Sequence, residues 1–362
     1  MSLFDHVEFD NHEQINYVCD PESGLKAIIA VHNTHLGPSL GGTRMYPYAS
    51  EDDALTDVLR LSRGMTYKSA MARLPLGGGK SVIIGDPKTQ KTPELLHAFG
   101  RYLERLGGIY IAAEDSGTSV PDMKIVHETT SYVTGYHEKV DKDGTTKSGD
   151  PSPATAYGCF LGIQAAVKHQ LKRDDLSGLT VGMQGLGNVG YRMAKMLAQA
   201  GAKLVVTDVN TEVLKQAEQE LGATVVGLDE IYRQKMDIFA PCALGATVNP
   251  ATLKELDVSI IAGSANNQLD TAETGRLLHE RGICYAPDYV INAGGIIDVC
   301  FETLGAYDSD KVNAHIEGIH DTLMEIFERS ARENIPASDL ADTIARERLA
   351  KGETTLEYRR TA

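Results

Sequence analysis

The stretch Thr180-Val-Gly-Met-Gln184 runs into Gly185-Leu-Gly187-Asn188-Val189-Gly190, and a helical pattern over 191–200 follows. A G-x-G-x-x-G set between a strand and a helix admits few folds. Its glycines allow the tight turn, let the backbone approach a pyrophosphate, and let the helix pack close to the strand. The helix N-terminus adds free N–H groups and a partial positive charge for phosphates. Lys203-Leu-Val-Val-Thr-Asp208 then reads as a strand ending in an acid. At that distance a carboxylate accepts ribose hydroxyls and repels a 2′-phosphate, so the pattern predicts a domain that takes NAD rather than NADP.

A second glycine run, Leu76-Gly77-Gly78-Gly79-Lys80, lies shortly after Met65-Thr66-Tyr67-Lys68. Three glycines let the backbone take conformations closed to other residues and come close to a small ligand. Two lysines sharing one site repel each other. Repulsion and burial both disfavour the charged form, and a lysine so treated can act as a general base. Two plainer readings compete. Gly79-Lys80-Ser81 matches the end of a phosphate loop, but that pattern needs a glycine where Leu74 stands. A turn carrying a solvated lysine is the commoner fate, and on these residues alone it stands level with the base.

At 362 residues the chain is long enough for two domains. With 35 basic and 50 acidic residues its formal charge is −15, which offers no footprint for nucleic acid or anionic lipid. The N-terminus lacks a basic and then apolar leader, and no apolar run approaches a membrane span. Five scattered cysteines without a C-x-x-C pair fit reduced thiols in a cytoplasm and give no zinc site. His32 and His35 have a tolerable ligand spacing but no partner cluster, so no metal is expected.

Residues 25–31 read as a buried strand, followed by a loop to Gly42. A helix is expected over 51–63 with Ser50 as N-cap, a strand over 81–85, a helix from Thr92-Pro93-Glu94 to about residue 106, and a strand over 109–113. The polar stretch 136–153 is the candidate domain boundary. A helix over 154–169 follows, then strand–helix units over 180–286 and a helical tail over 311–350 broken at Ile335-Pro336. The pattern predicts an α/β chain of two domains separated by a cleft. The first domain covers 1–150 and a Rossmann domain follows over 151–335. Dehydrogenases commonly hold substrate between two such domains.

Further segments now fall into one order: Gly37-Pro-Ser-Leu-Gly-Gly-Thr-Arg44, Gly64-Met-Thr-Tyr-Lys68, Leu76-Gly-Gly-Gly-Lys80, Ala113-Glu-Asp115-Ser-Gly117, Ala240-Pro-Cys-Ala-Leu-Gly245, Ala262-Gly-Ser-Ala-Asn-Asn-Gln-Leu269 and Ala286-Pro-Asp-Tyr-Val-Ile-Asn-Ala-Gly-Gly295. Together they resemble the Glu/Leu/Phe/Val amino-acid dehydrogenase family, in its leucine/phenylalanine/valine branch, over about residues 1–350. The resemblance implies that the domain over 1–150 is the catalytic and oligomerisation domain, completed by helices in 336–362, and that the chain carries out NAD-dependent, reversible oxidative deamination of an L-amino acid to a 2-oxo acid and ammonia. It implies that Lys68 binds the substrate carboxylate, that Lys80 has a lowered pKa and activates the water that attacks the imine, and that Asp115 shuttles protons to the departing amine. Asn267 would contact substrate and Asn266 the nicotinamide end of the cofactor, with Ser152 and Thr155 near the nicotinamide and Cys242 and Ala243 along the cofactor ribose. Gly185, Gly187, Asn188, Val189, Gly190 and Asp208 complete the cofactor set.

Leu40, Gly41, Gly42, Met65, Ala113, Ile296 and Val299 complete the implied substrate site. Leu40, Ala113, Ile296 and Val299 would line the side-chain pocket. All four are apolar, which argues against glutamate and for leucine, valine and isoleucine, with a phenylalanine/tryptophan-type or valine-preferring enzyme as the alternative. Loop 138–149 is longer, and the tail after residue 350 shorter, than the resemblance leads one to expect. The homo-oligomer it implies is therefore an octamer or a dimer.

Overall fold

A computed structural model describes residues 2–140, 146–147, 149–243, 245–305 and 307–358. Two compact units emerge. One holds Met1–Asp150, Val299–Ser309 and Ala345–Ala362; the other holds Pro151–Asp298 and Asp310–Ile344. Half of the long loop expected at 138–149 (residues 141–145 and 148) and the last four residues of the tail lie outside the described residues.

The first unit is built on a five-stranded sheet of β1 (Gln14–Asp20), β2 (Leu25–Asn33), β3 (Ser39–Tyr46), β4 (Gly77–Ile84) and β5 (Tyr110–Glu114), in the order β1-β2-β4-β3-β5. β1 and β4 run antiparallel to β2, and β3 runs parallel to both β4 and β5. Three helices join them: α1 (Glu51–Met71), α2 (Pro93–Arg105) and α3 (Val120–His127). The period of two along β2 divides the core. Ala27, Ile29 and Val31 face a cluster with Leu96, Phe99 and Leu103 of α2 and Met123 of α3, while Ile28 and Ala30 face Ala54, Val58 and Leu59 of α1. The expected caps form: Ser50 Oγ accepts the Asp53 N–H at 3.1 Å and Thr92 Oγ1 the Leu95 N–H at 3.2 Å.

Two sequence expectations fail here. The loop read up to Gly42 is strand β3 from Ser39 onward, and the glycine run expected to take unusual backbone conformations is the first half of β4. None of Gly77, Gly78 and Gly79 has a left-handed φ. They are glycines because neighbours come close. A Cβ on Gly78 would lie 2.0 Å from the Thr66 backbone nitrogen, and one on Gly79 would lie 2.6 Å from the Tyr110 ring. Helix α1 also runs eight residues past its expected end at residue 63, because its buried residues Thr66, Tyr67 and Met71 continue the stripe.

A short antiparallel pair, β6 (Lys139–Val140) and β7 (Thr146–Lys147), precedes the second unit. There α4 (Ser152–Leu171), β8 (Thr180–Gln184), α5 (Asn188–Gln199), β9 (Lys203–Thr207), α6 (Thr211–Leu221), β10 (Thr224–Val225), β11 (Ile238–Pro241), β12 (Ile260–Ile261), α7 (Ala272–Glu280), β13 (Cys284–Tyr285) and α8 (Asp288–Ile291) follow in order. The strands form one parallel sheet, β10-β9-β8-β11-β12-β13. The chain starts at its middle, winds outward through β9 and β10, then returns to β11 beside β8. That reversal between β8 and β11 is the switch point where doubly wound sheets bind ligands.

Three helices close the chain: α9 (Gly294–Thr303), α10 (Ser309–Glu333) and α11 (Ala337–Lys351), the last two parted at Pro336. The end of α11 ties the C-terminal segment to α1. Arg348 Nη1 donates to the Met71 carbonyl at 2.6 Å, Arg346 Nε to the Tyr67 hydroxyl at 2.9 Å, and the Thr355 N–H to the Arg73 carbonyl at 3.0 Å. Among the described residues no helix is long and apolar enough to cross a membrane.

His12 links the N-terminal segment to α1. Its Nε2–H reaches the Leu59 carbonyl at 3.1 Å and Ser62 Oγ at 3.0 Å, and its ring lies 4.7 Å from that of His32. Burial, and then His32, lower its pKa from 6.5 to about 4. Unfolded His12 takes up a proton near pH 6.5 and folded His12 only near 4. Its contribution is therefore whole above pH 6.5 and is lost as pH falls through that window, by about 3 kcal/mol. Urea midpoints at pH 7 and pH 5 test this: His12→Asn should flatten the acid loss seen in the wild type, and an unchanged pH dependence would contradict it.

Candidate active site

Strand β3 lies between β4 and β5, so one residue from each meets where the three strands end or bend. Gly42 pairs with Ala113, Thr43 with Ser81 on one side and Glu114 on the other. Lys80 points from β4, only 5 % exposed, and its Nζ lies 3.1 Å from Asp115 Oδ1 just beyond β5. Gly42 makes that meeting possible. A Cβ there would lie 2.7 Å from Asp115 Cβ, 2.7 Å from the Glu114 carbonyl oxygen and 3.1 Å from Lys80 Nζ. Beneath, a buried web holds the strands in step: the Tyr110 hydroxyl donates to the Gly41 carbonyl at 2.7 Å, and Ser81 Oγ donates to Thr43 Oγ1 at 3.0 Å.

Arg44, to which the sequence analysis assigns no role, donates from Nε to Asp115 Oδ2 at 2.9 Å. Burial alone would raise the Asp115 carboxyl pKa; the Lys80 ammonium and Arg44 guanidinium outweigh it and hold the carboxyl below its usual range. Glu114 next to it goes the other way, raised first by burial and then by Asp150.

The remaining expected substrate residues of this unit lie on β3, β5, α1 and α9. Leu40, Gly41 and Ala113 are buried on β3 and β5. Met65 and Lys68 occupy the last turns of α1 on either side of Thr66, whose backbone Gly78 approaches. His32 Nδ1 bonds Thr66 Oγ1 at 2.7 Å and fixes that stretch of helix. Val299, 8 % exposed, belongs to this unit too, and its carbonyl accepts the Thr303 hydroxyl at 2.8 Å.

In the second unit the glycine motif stands at the switch point. Gly185 needs its left-handed φ of 102°, and a Cβ there would lie 2.8 Å from both the amide nitrogen and the Cβ of Ala243. Gly190 lies under Gly185, with room for no side chain: a Cβ would come 2.3 Å from the Gly185 carbonyl oxygen. The Cys242 N–H donates to the Gln184 carbonyl at 2.7 Å, so Cys242 and Ala243 are brought to the same turn. Gly187 caps α5 with no side chain over its N–H groups, and a Cβ there would meet nothing. Asn188 and Val189 open the helix. Asp208 Oδ2 accepts the Leu186 N–H at 2.6 Å and Oδ1 the Asn210 N–H at 2.7 Å, pinning its carboxylate beside the turn. A cavity of about 500 Å³ lined by Gly187, Asn188, Arg192, Asp208 and Asn210 opens there. An uncapped helix terminus, open space at Gly187 and a fixed carboxylate fit a dinucleotide.

Ser152 and Thr155 lie in the first turn of α4, where a Cβ on Gly295 would come 2.7 Å from Thr155 Oγ1. Ile296, 8 % exposed, follows in α9. Asn266 and Asn267 are exposed after β12, and Asn267 holds a left-handed φ of 51° that asparagine tolerates better than most residues. Asn292, which the sequence reading did not single out, donates from Nδ2 to Asn266 Oδ1 at 2.7 Å, while its own buried Oδ1 has no partner. It fixes the orientation of the Asn266 amide.

The chain was compared with known proteins. The family model described as Glu/Leu/Phe/Val dehydrogenase, dimerisation domain, matches residues 12–132, and that of glutamate/leucine/phenylalanine/valine dehydrogenase matches 148–221 and 207–355. The leucine dehydrogenase of Bacillus subtilis (strain 168) is 50 % identical over 97 % of this chain and 95 % of its own length. The phenylalanine dehydrogenase of Lysinibacillus sphaericus is 46 % identical, with 92 % and 87 % covered. The crystal structure of L-tryptophan dehydrogenase from Nostoc punctiforme superposes with a TM-score of 0.82 at 42 % identity, covering 94 % of this chain and 97 % of that one.

Gly42→Ala should push Asp115 and Lys80 apart with the fold retained. Displacement of reacting groups by about an ångström can cost about a hundred-fold in rate. Initial rates with an amino-acid substrate check this; turnover within a few-fold of wild type would contradict the role given to Gly42.

Proposed function

The chain belongs to the glutamate/leucine/phenylalanine/valine dehydrogenase family and is an amino-acid dehydrogenase; from that premise we propose that it catalyses the reversible, NAD-dependent oxidative deamination of branched-chain aliphatic L-amino acids to 2-oxo acids and ammonia. The observation that carries the reading is the Lys80–Asp115 pair, 3.1 Å apart and set beside the buried apolar residues Leu40 and Ala113.

Family and parallel sheet imply a nicotinamide cofactor, which when bound supplies the acceptor for hydride from the substrate α-carbon. Gly185, Gly187, Asn188, Val189, Gly190, Asp208, Cys242 and Ala243 would hold its adenosine, pyrophosphate and ribose portions, with Ser152, Thr155 and Asn266 toward the other end. Asp208 supports NAD over NADP: a carboxylate held by two backbone N–H groups cannot turn away from a 2′-phosphate.

In this reading Lys68 binds the substrate carboxylate as a compact cation. Loss of hydride leaves an iminium carbon, which water attacks. Lys80 Nζ accepts the proton of that water as it adds, which requires the amine in its neutral form. The carbinolamine then expels ammonia and leaves the 2-oxo acid, and Asp115 carries the proton that the leaving nitrogen takes up. The 3.1 Å spacing lets one proton pass directly between Lys80 and Asp115. The Asp115 charge also favours the cationic iminium. Leu40, Ala113 and Val299 in the first unit and Ile296 in the second are each apolar and nearly buried, and none of them is a partner for a charged side chain. An aliphatic group buried against apolar residues gains about 1.5–3 kcal/mol, enough to prefer leucine, valine and isoleucine without ranking them.

The match to a dimerisation-domain model over 12–132 supports a homo-oligomer, and the reduced cysteines support a cytoplasmic enzyme. Neither nucleic acid nor membrane enters this reading.

Initial rates with NAD and a panel of L-amino acids, beside the 2-oxo acids with NADH and ammonia, test the substrate class. Leucine, valine and isoleucine should lead; phenylalanine or tryptophan ahead of them would move the proposal to the aromatic branch. Lys80→Ala should abolish turnover while NADH still binds, as followed by its fluorescence, and near-wild-type activity would refute the assignment. Asp208→Ser should raise the NADP-to-NAD ratio of kcat/KM by about ten-fold or more; an unchanged ratio would remove Asp208 from cofactor choice.

A further inference from the structure

Asp115 has two carboxylate oxygens, and each meets a different cation. Oδ1 faces Lys80 Nζ at 3.1 Å and Oδ2 accepts from Arg44 Nε at 2.9 Å. The Arg44 guanidinium does not end there. Its Nη1 donates to Asp57 Oδ2 on α1 at 2.8 Å, and the Tyr48 hydroxyl donates to the same oxygen at 2.6 Å. A planar guanidinium gripped at both ends cannot swing, so it sets the plane of the carboxylate it holds. The backbone is fixed as well: the Asp115 N–H donates to Thr118 Oγ1 at 3.0 Å, and that hydroxyl donates to the Thr43 carbonyl at 2.8 Å.

We propose that Arg44, itself anchored by Asp57 and Tyr48, is a positioning residue that fixes the Asp115 carboxylate with Oδ1 turned to Lys80. The inference rests on the reading of Asp115 as the proton carrier and adds what orients it. Without Arg44 the carboxylate rotates about its Cβ–Cγ bond, and Oδ2 competes with Oδ1 for Lys80. A proton relay through a 3.1 Å contact does not survive that freedom.

Arg44 also acts through its charge. The groups facing Asp115 are Lys80 from β4, Arg44 from β3, Asp57 from α1 with Tyr48 behind it, and Glu114 and Tyr110 from its own strand, with Asp150 and Asp122 facing Glu114. Arg44 is the cation of that set that stays charged when Lys80 is the neutral base its step requires. Removing it makes Asp115 take up a proton at higher pH. The deamination direction needs Asp115 ionised, so the acid limb of its pH profile moves upward with it.

Position and charge separate in a small set of variants of the full-length enzyme, assayed with NAD and L-leucine across pH. Arg44→Gln should lower kcat by about ten- to a hundred-fold, shift the acid limb of kcat/KM to higher pH, and leave NADH binding as in the wild type. Arg44→Lys keeps the charge without the fork. Its limb should stay near the wild-type pH while only part of kcat returns. Asp57→Asn and Tyr48→Phe leave the Arg44 charge in place and loosen the anchor; each should lower kcat several-fold with no upward shift of the limb, and they carry the test if Arg44→Gln does not fold. The proposal is overturned if Arg44→Gln keeps kcat within two-fold, or if its limb does not move, or if neither anchor variant changes kcat. Asp115→Asn separates this from the functional reading. Full activity there overturns the role of Asp115 itself, whereas an inactive Asp115→Asn beside a fully active Arg44→Gln overturns only the role of Arg44.

Discussion

The space vacated by one side chain at Gly42 governs the catalytic unit. Strands β3, β4 and β5 bring Lys80 and Asp115 to within 3.1 Å only because nothing projects from β3 between them. The same requirement reaches outward. Gly41 approaches the Gly79 carbonyl so closely that a Cβ would lie 1.7 Å from its oxygen, Gly78 admits α1 with Lys68, and Gly79 admits the Tyr110 ring whose hydroxyl grips the Gly41 carbonyl. Glycines that weaken a strand by their chain entropy are here the condition for a buried lysine and a partly exposed aspartate to share a hydrogen bond.

The second unit solves a different problem with the same residue. Gly185, Gly187 and Gly190 leave a helix terminus bare and a turn tight enough for Ala243 and Cys242 to close over it. Asp208 is held there by backbone donors, and Asn292 orients Asn266 elsewhere in the unit. In the proposed reading the second unit holds the cofactor that accepts hydride, and the residues that move protons belong to the first.

Much of this was legible in the residues. The G-x-G-x-x-G and Asp208 carry their own context, because strand, turn and helix each leave a local signature; the caps at Ser50 and Thr92 do likewise. The glycine run before Lys80 is legible as a close approach, but the unusual backbone conformation expected of it does not occur, since nothing local distinguishes a glycine needed for φ from one needed for room. Strand β1 was not seen at all: its burial pattern is mostly half-buried and gives no alternation. Arg44 and Asn292 were passed over for a related reason. Each acts through a partner distant in sequence, Asp115 and Asn266, and a single chain read end to end does not display such pairs. The attachment of Val299–Ser309 to the first unit depends on Glu302 accepting the Gly135 N–H at 2.9 Å, again a contact between distant residues.

A crystal structure of the enzyme with NADH and a branched-chain 2-oxo acid addresses the central claim most directly. The account predicts Lys80 Nζ and an Asp115 oxygen within about 3 Å of the ligand's oxo oxygen or of a water beside its carbon, with the aliphatic group against Leu40 and Ala113. A ligand bound elsewhere, or a Lys80 side chain turned out to solvent in that complex, would contradict it.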